Sequence, residues 1–185
     1  MSKAVMLSIR PKWVEKIARG EKTIEVRKTR PKLDTPFKCY IYCTLQGCNE
    51  FFRVDLGRDV AKWNRGKWAD RKGNVIGEFT CDRIDRLAPA NEPYGIYDID
   101  DDYVLQTCLE NGALWDYGHG TPLYGWHISN LRIYDAPREL SEFERPYECN
   151  ECDAKWATEC NACHEEGEIK RPPQSWCYVE EDDNG

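Results

Sequence analysis

Residues 20–27, GEKTIEVR, decide how the rest of the chain is read. Thr23-Ile24-Glu25-Val26-Arg27 alternates with period two. That predicts a strand with Ile24 and Val26 turned into the core and Glu25 and Arg27 together on the opposite side. Lys22 stands at the corner where the strand begins. Working backwards, Gly20 suits the left-handed conformation that ends a helix, and the stretch before it carries helix signals. Pro11 fits a first turn, where its fixed φ and missing N–H cost nothing. Trp13, Val14, Ile17 and Ala18 then fall on one helical face, with Lys12, Lys16 and Arg19 towards the other. Ala4 to Ile9 (AVMLSI) is an apolar run of strand length. The resulting strand–helix–strand unit sets a carboxylate and a guanidinium side by side, with an amine at the corner. The plain alternative is a surface ion pair on a half-exposed strand, worth about 0–1 kcal/mol.

Outward from this unit, KTRPKLDTP is a turn-rich basic connection, and Phe37 to Thr44 (FKCYIYCT) has the aromatic and β-branched content of a strand. Cys39 and Cys43 lie on one face of it and read as small buried thiols. Residues 45–72 form an excursion in which Trp63 and Trp68 are interleaved with Lys62, Arg65, Lys67, Arg71 and Lys72. Cations that pair with phosphates and rings that stack on bases are the ingredients of single-strand binding; a charged loop anchored by its tryptophans is the plainer reading. Strand character returns from Gly73 to Leu87 and is broken at PANEP, residues 89–93. Asp100-Asp101-Asp102 precedes YVLQTCLENG, a predicted helix with acids at its positive end and Gly112 near its stop. Capping explains the aspartates better than a cation site. Tyr124 to Tyr134 is a long aromatic strand containing His127, and His119 sits between two glycines where a ligand entrance would be flexible.

Residues 8–31, SIRPKWVEKIARGEKTIEVRKTRP, resemble the opening of an ASCH domain, a member of the PUA-like superfamily of small β-barrels. The signature of that family is G-x-K-x-x-E-x-R, and Gly20, Lys22, Glu25 and Arg27 match all four positions. GNVIGEFTC (73–81), YGWHISNLRIY (124–134) and QSWCYV (174–179) resemble its later strands, especially those of phage and prophage members. The resemblance implies an α+β fold: a PUA-like barrel with flanking helices over residues 1–141 and a closing strand over 171–181. It also implies a cleft, with Arg10, Lys12, Lys22, Glu25, Arg27 and His127 as candidate ligand-binding residues, to which the aromatic and basic excursion adds Trp68.

What the cleft takes divides into two classes. As a binding module it would hold nucleic acid, RNA ahead of DNA, or a modified base or nucleotide. Lys22 and Arg27 would grip phosphate or a base carbonyl, while Glu25 accepts from an exocyclic amine. As an enzyme it would resemble a small bacterial ASCH type that deacetylates N4-acetylcytidine with a lysine, a threonine and a distant glutamate. Lys22 matches that lysine, but Glu25 occupies the threonine position, and no residue between 90 and 112 matches the glutamate. Lys22 and Glu25 would then be the catalytic pair, activating water on an N4-acylated cytidine or in another RNA-processing hydrolysis.

The second strong pattern is Cys149-x2-Cys152-x7-Cys160-x2-Cys163. Two Cys-x-x-Cys knuckles can complete a tetrahedral site, which predicts a structural zinc ion in an insertion spanning residues 142–170. An iron–sulfur cluster comes next and disulfides last. His164 adjoins the last cysteine without being needed as a ligand.

The chain has 185 residues and a net charge of −7, which argues against wholesale affinity for nucleic acid. Residues 1–80 hold 18 Lys+Arg and 9 Asp+Glu, and residues 81–185 hold 8 and 24, leaving a basic half at +9 and an acidic remainder at −16. The basic half carries the signature. The sequence shows no apolar stretch followed by a cleavage site and no run near ~20 apolar residues, so a cytoplasmic protein without membrane contact is expected. The ten cysteines then read as thiols, some metal-bound. The last residues, 182–185, read as a disordered acidic tail.

Overall fold

The computed structural model describes residues 3–45, 73–90, 96–146 and 167–181. In chain order the elements are β1 (Lys3–Ile9), α1 (Pro11–Ala18), β2 (Ile24–Arg27), β3 (Phe37–Cys43), β4 (Val75–Leu87), α2 (Asp101–Thr107), α3 (Asn111–Gly118), β5 (Leu123–Arg138) and β6 (Trp176–Glu180), with a 3-10 turn at Leu140–Glu142. The strands form one six-stranded sheet in the order β2-β5-β4-β3-β1-β6. β1 runs parallel to β3 and antiparallel to β6, and β2 is antiparallel to β5.

The barrel expected from the family resemblance is not closed among the described residues. β2 and β6 are the two edges of the sheet. β2 has four residues and β6 five, and each has a single described strand partner. Such short edges offer few ladder groups with which to complete a ring.

The chain divides into two compact units, one made of Met1–Lys12, Lys38–Glu78 and Arg132–Gly185, the other of Trp13–Phe37 and Phe79–Leu131. In the first, Ala4, Met6, Tyr40, Tyr42, Val75, Phe143, Ile169 and Val179 form the core, with Tyr40 and Phe143 meeting edge to face at 4.9 Å. Cys39 and Cys43 are buried, as their place on β3 predicts. Glu144 and Glu168 form an antiparallel bridge, and Arg145 N–H donates to Gly167 O at 2.8 Å. The residues on either side of the four-cysteine segment are therefore paired with one another.

In the second unit, Val26, Leu87, Tyr97, Leu114 and Leu123 make the core. Helix α1 ends as its sequence predicts. Gly20 adopts φ 73°, Gly20 N–H donates to Ile17 O at 2.9 Å, and Glu21 N–H donates to Lys16 O at 2.9 Å. This is the paired-bond Schellman stop. The Asp100 side chain caps α2 by accepting from Tyr103 N–H at 2.8 Å, as expected of the aspartate run.

The single helix predicted over YVLQTCLENG is in fact broken. The Thr107 hydroxyl bonds back to Tyr103 O at 2.9 Å and accepts from Leu109 N–H at 3.3 Å, and Cys108 takes φ 54°. A hydroxyl competing for backbone groups stops α2, and Gly112 lies inside the first turn of α3. The Gly118-His119-Gly120 segment is a helix C-cap and not a loose entrance. His119 has φ 50°, and its N–H donates to Trp115 O at 2.7 Å.

Candidate functional site

The Schellman turn delivers Lys22 to the start of β2, where the backbone of Thr23 donates to Gln106 O at 2.9 Å and ties the corner to α2. Lys22 Nζ donates to Thr107 O at 2.6 Å, lies 3.4 Å from Glu25 Oε2, and sits 5.2 Å from the centre of the Trp13 ring. Arg27 Nη2 lies 3.1 Å from Glu25 Oε1. The three signature side chains are thus one cluster of two cations sharing one carboxylate. They are nearly closed to solvent, at 2% exposure for Lys22, 6% for Glu25 and 7% for Arg27. The surface ion pair considered from the sequence is instead a buried one. Alternation along β2 holds, since Ile24 pairs with His127 and Glu25 with Trp126, but both faces of the strand are covered.

Burial pushes the Lys22 amine below its usual pKa, and Glu25 pulls it back up. An ammonium in a dry site loses its hydration, and one shared carboxylate restores part of that loss. The Cys108 thiol adds to the same upward pull on Lys22 and donates to Glu21 O at 3.4 Å. Tyr117, 37% exposed at the rim, feels the charges of both Arg27 and Glu25. Lys28 Nζ lies 5.0 Å over its ring. Burial raises the Tyr117 hydroxyl's pKa and Arg27 opposes that rise.

His127 has other partners. Its Nε2 lies 2.6 Å from Asp85 Oδ2 and 2.9 Å from Arg83 Nη2. A guanidinium only donates, so that nitrogen cannot bond to both at once: with a proton it donates to Asp85, without one it accepts from Arg83. The Tyr103 ring meets His127 edge-on at 6.4 Å, and its buried hydroxyl, pushed to higher pKa by desolvation, points at Gly125. A Cβ on Gly125 would stand 1.8 Å from that oxygen. On β4, burial pushes the Cys81 thiol up to about 12, with the Asp82 charge adding to the rise.

Arg10 and Lys12 are exposed residues of the first unit, whereas the cluster above is built within the second. Trp68 lies outside the described residues, as do Cys149, Cys152, Cys160 and Cys163. Among the described residues, no three His, Cys, Asp or Glu side chains converge to hold a metal ion, and no helix is long and apolar enough to cross a membrane. Sequence reading missed Trp13 as the lid on Lys22, Thr107 as its acceptor, and Tyr117 at the rim. Thr107 contributes through a backbone carbonyl and so leaves no residue-type signal.

Residues 7–50 match the ASCH domain family. No curated protein sequence matches the chain. The fold is similar to that of the ASCH protein from Zymomonas mobilis, at TM-score 0.54 and 18% identity over 96% of this chain and 88% of that one. Crystal structures of two mutants of the Zymomonas mobilis protein are similar too. One has TM-score 0.54 and 17% identity over 96% of this chain and 89% of the mutant; the other has 0.52 and 17% over 97% and 92%. At that identity the likeness is one of fold.

Proposed function

We propose that the Lys22–Glu25–Arg27 cluster binds a nucleotide or modified base, as part of RNA ahead of DNA. The ASCH match over residues 7–50 supports the class, since PUA-like domains are associated with RNA. The observation that carries the reading is the convergence of Lys22, Glu25 and Arg27 in one nearly closed cluster. Two buried cations stand 3.4 and 3.1 Å from one carboxylate, and cationic donors beside an acceptor complement a phosphate or carbonyl together with an exocyclic amine. Only an edge of Glu25 and Arg27 reaches solvent, which suits a base edge or a single phosphate. Tyr117 and Lys28 at the rim supply a ring for stacking and a cation for the backbone.

Arg27→Ala should weaken binding of a matched nucleotide by more than tenfold, with circular dichroism showing the fold intact. Unchanged affinity in a folded variant would overturn the reading. Hydrolysis of an N4-acylated cytidine is the second reading, favoured by the lowered pKa of Lys22 beside Glu25. Its mark would be release of free acid by the wild-type protein and none by Lys22→Ala. Binding ranks first because Glu25 stands where the family's hydrolase has its threonine.

The four-cysteine segment is proposed to hold one structural zinc through Cys149, Cys152, Cys160 and Cys163. Four thiolates in two knuckles fit that ion, and the paired flanks at residues 144–145 and 167–168 support an insertion closed at its base. About one zinc per chain by elemental analysis is expected; iron with visible absorbance would favour a cluster, and no metal would end the proposal.

A further inference from the structure

The first unit carries a groove of about 590 Å³ beside the edge strand β6, with Lys3, Arg145, Pro146, Gln174, Trp176 and Tyr178 among its lining. That volume falls within the usual size of small-ligand sites. Trp176 and Tyr178 stand two residues apart on β6, half-buried, with their rings edge to face at 5.4 Å. Across the strand pair they stand opposite Leu7 and Val5, which are fully buried neighbours on the same face of the sheet. Lys3 and Arg145 are exposed. The Arg145 backbone is pinned to Gly167 O, and its side chain bonds the Cys177 thiol. Among the described residues, the lining has two cations and no carboxylate, on a chain whose net charge is −7; Glu180 stands opposite Lys3 on the neighbouring strand, outside that lining.

Adjacent rings next to cations, in a groove open to solvent, match the chemistry of a base and its phosphate. We propose that this groove binds one nucleotide of a single-stranded nucleic acid, with the base against Trp176 and Tyr178 and the phosphate between Lys3 and Arg145. The site lies wholly in the first unit and does not depend on the Lys22–Glu25–Arg27 reading. A phosphate alone would have no use for the two rings, and a bare base would have none for the two cations.

The test uses the full chain and a labelled single-stranded oligonucleotide of about eight residues, in RNA and DNA forms, followed by fluorescence anisotropy. Trp176→Leu should weaken binding about tenfold, while Trp176→Phe keeps it within about threefold, because phenylalanine still stacks. Arg145→Gln and Lys3→Gln should each weaken binding and lower the salt slope by about one. An abasic oligonucleotide that binds as tightly as the base-bearing one would overturn the proposal. So would an acidic peptide that binds where the oligonucleotide does not, which would make this a protein surface.

Should Trp176→Leu fail to fold, crosslinking of wild-type protein to a 4-thiouridine oligonucleotide decides the matter. Crosslinks in the peptide containing Trp176–Tyr178 support the groove, and crosslinks confined elsewhere overturn it. Loss of oligonucleotide binding in Arg27→Ala with none in Trp176→Leu would sink the groove and spare the cluster. The reverse pattern would spare the groove.

Discussion

Two charge clusters in the second unit use similar residues and differ in how much water they keep. Lys22, Glu25 and Arg27 have side chains at most 8% exposed. Arg83, Asp85 and His127 form contacts as short, but their side chains are 65%, 30% and 15% exposed. In the wet cluster each ion keeps hydration, screening weakens the attraction, and breaking a pair costs little. In the dry cluster the desolvation has already been incurred, so the carboxylate shared by the two cations is worth far more than the same contact in water. The distances alone would rank the clusters equal. Burial separates them.

Cutting each cluster at its carboxylate is the sharpest way to test that contrast. Glu25→Gln leaves Lys22 and Arg27 together in a dry site and should destabilise the fold by about 3–5 kcal/mol in denaturant unfolding. A loss below about 1 kcal/mol would mean the site is hydrated. Gly125→Ala comes next. It puts a methyl against the Tyr103 hydroxyl beside His127, and overpacking of that kind costs about 1–3 kcal/mol.

Lys22→Met should change stability by no more than about 1 kcal/mol near neutrality, since it leaves Glu25 and Arg27 paired one to one. Its pH signature is more telling. The Lys22 pKa is lower in the folded chain than its ordinary 10.5, so between those two values the unfolded state holds more protons. The contribution of Lys22 to stability therefore rises as pH climbs through that window up to 10.5. Wild type minus Lys22→Met, followed by thermal unfolding across alkaline pH, should show that rise, and a flat difference would contradict it. Asp85→Asn closes the series at about 0–1 kcal/mol. A loss as large as that of Glu25→Gln would erase the distinction between the clusters.

Local devices were the most legible part of the chain. Pro11 and Gly20 bracket α1 because their backbone preferences act within a few residues, and Asp100 caps α2 for the same reason. The signature residues were also legible as a group, because a corner and a two-residue alternation place Lys22, Glu25 and Arg27 near one another. The stop at Thr107 was not, because a threonine in mid-pattern reads as helix until its hydroxyl finds a backbone partner. Nor was His127 legible as a partner of Asp85, since the two meet only when β4 and β5 come together.

The sequence by itself determined the strand–helix–strand opening, the strand character of the segments that follow, and the identity of the charged cluster. All three rest on periodicity and short-range conformational preference, which are encoded in neighbouring residues. Tertiary structure alone decided that the described strands leave two sheet edges, that Glu25 and Arg27 are covered, and that Lys22 reaches the carbonyl of Thr107, 85 residues further on. Period-two alternation says which side chains share a face. What packs over that face comes from distant parts of the chain, and with it comes the loss of water that turns an ordinary ion pair into a charged, dry site.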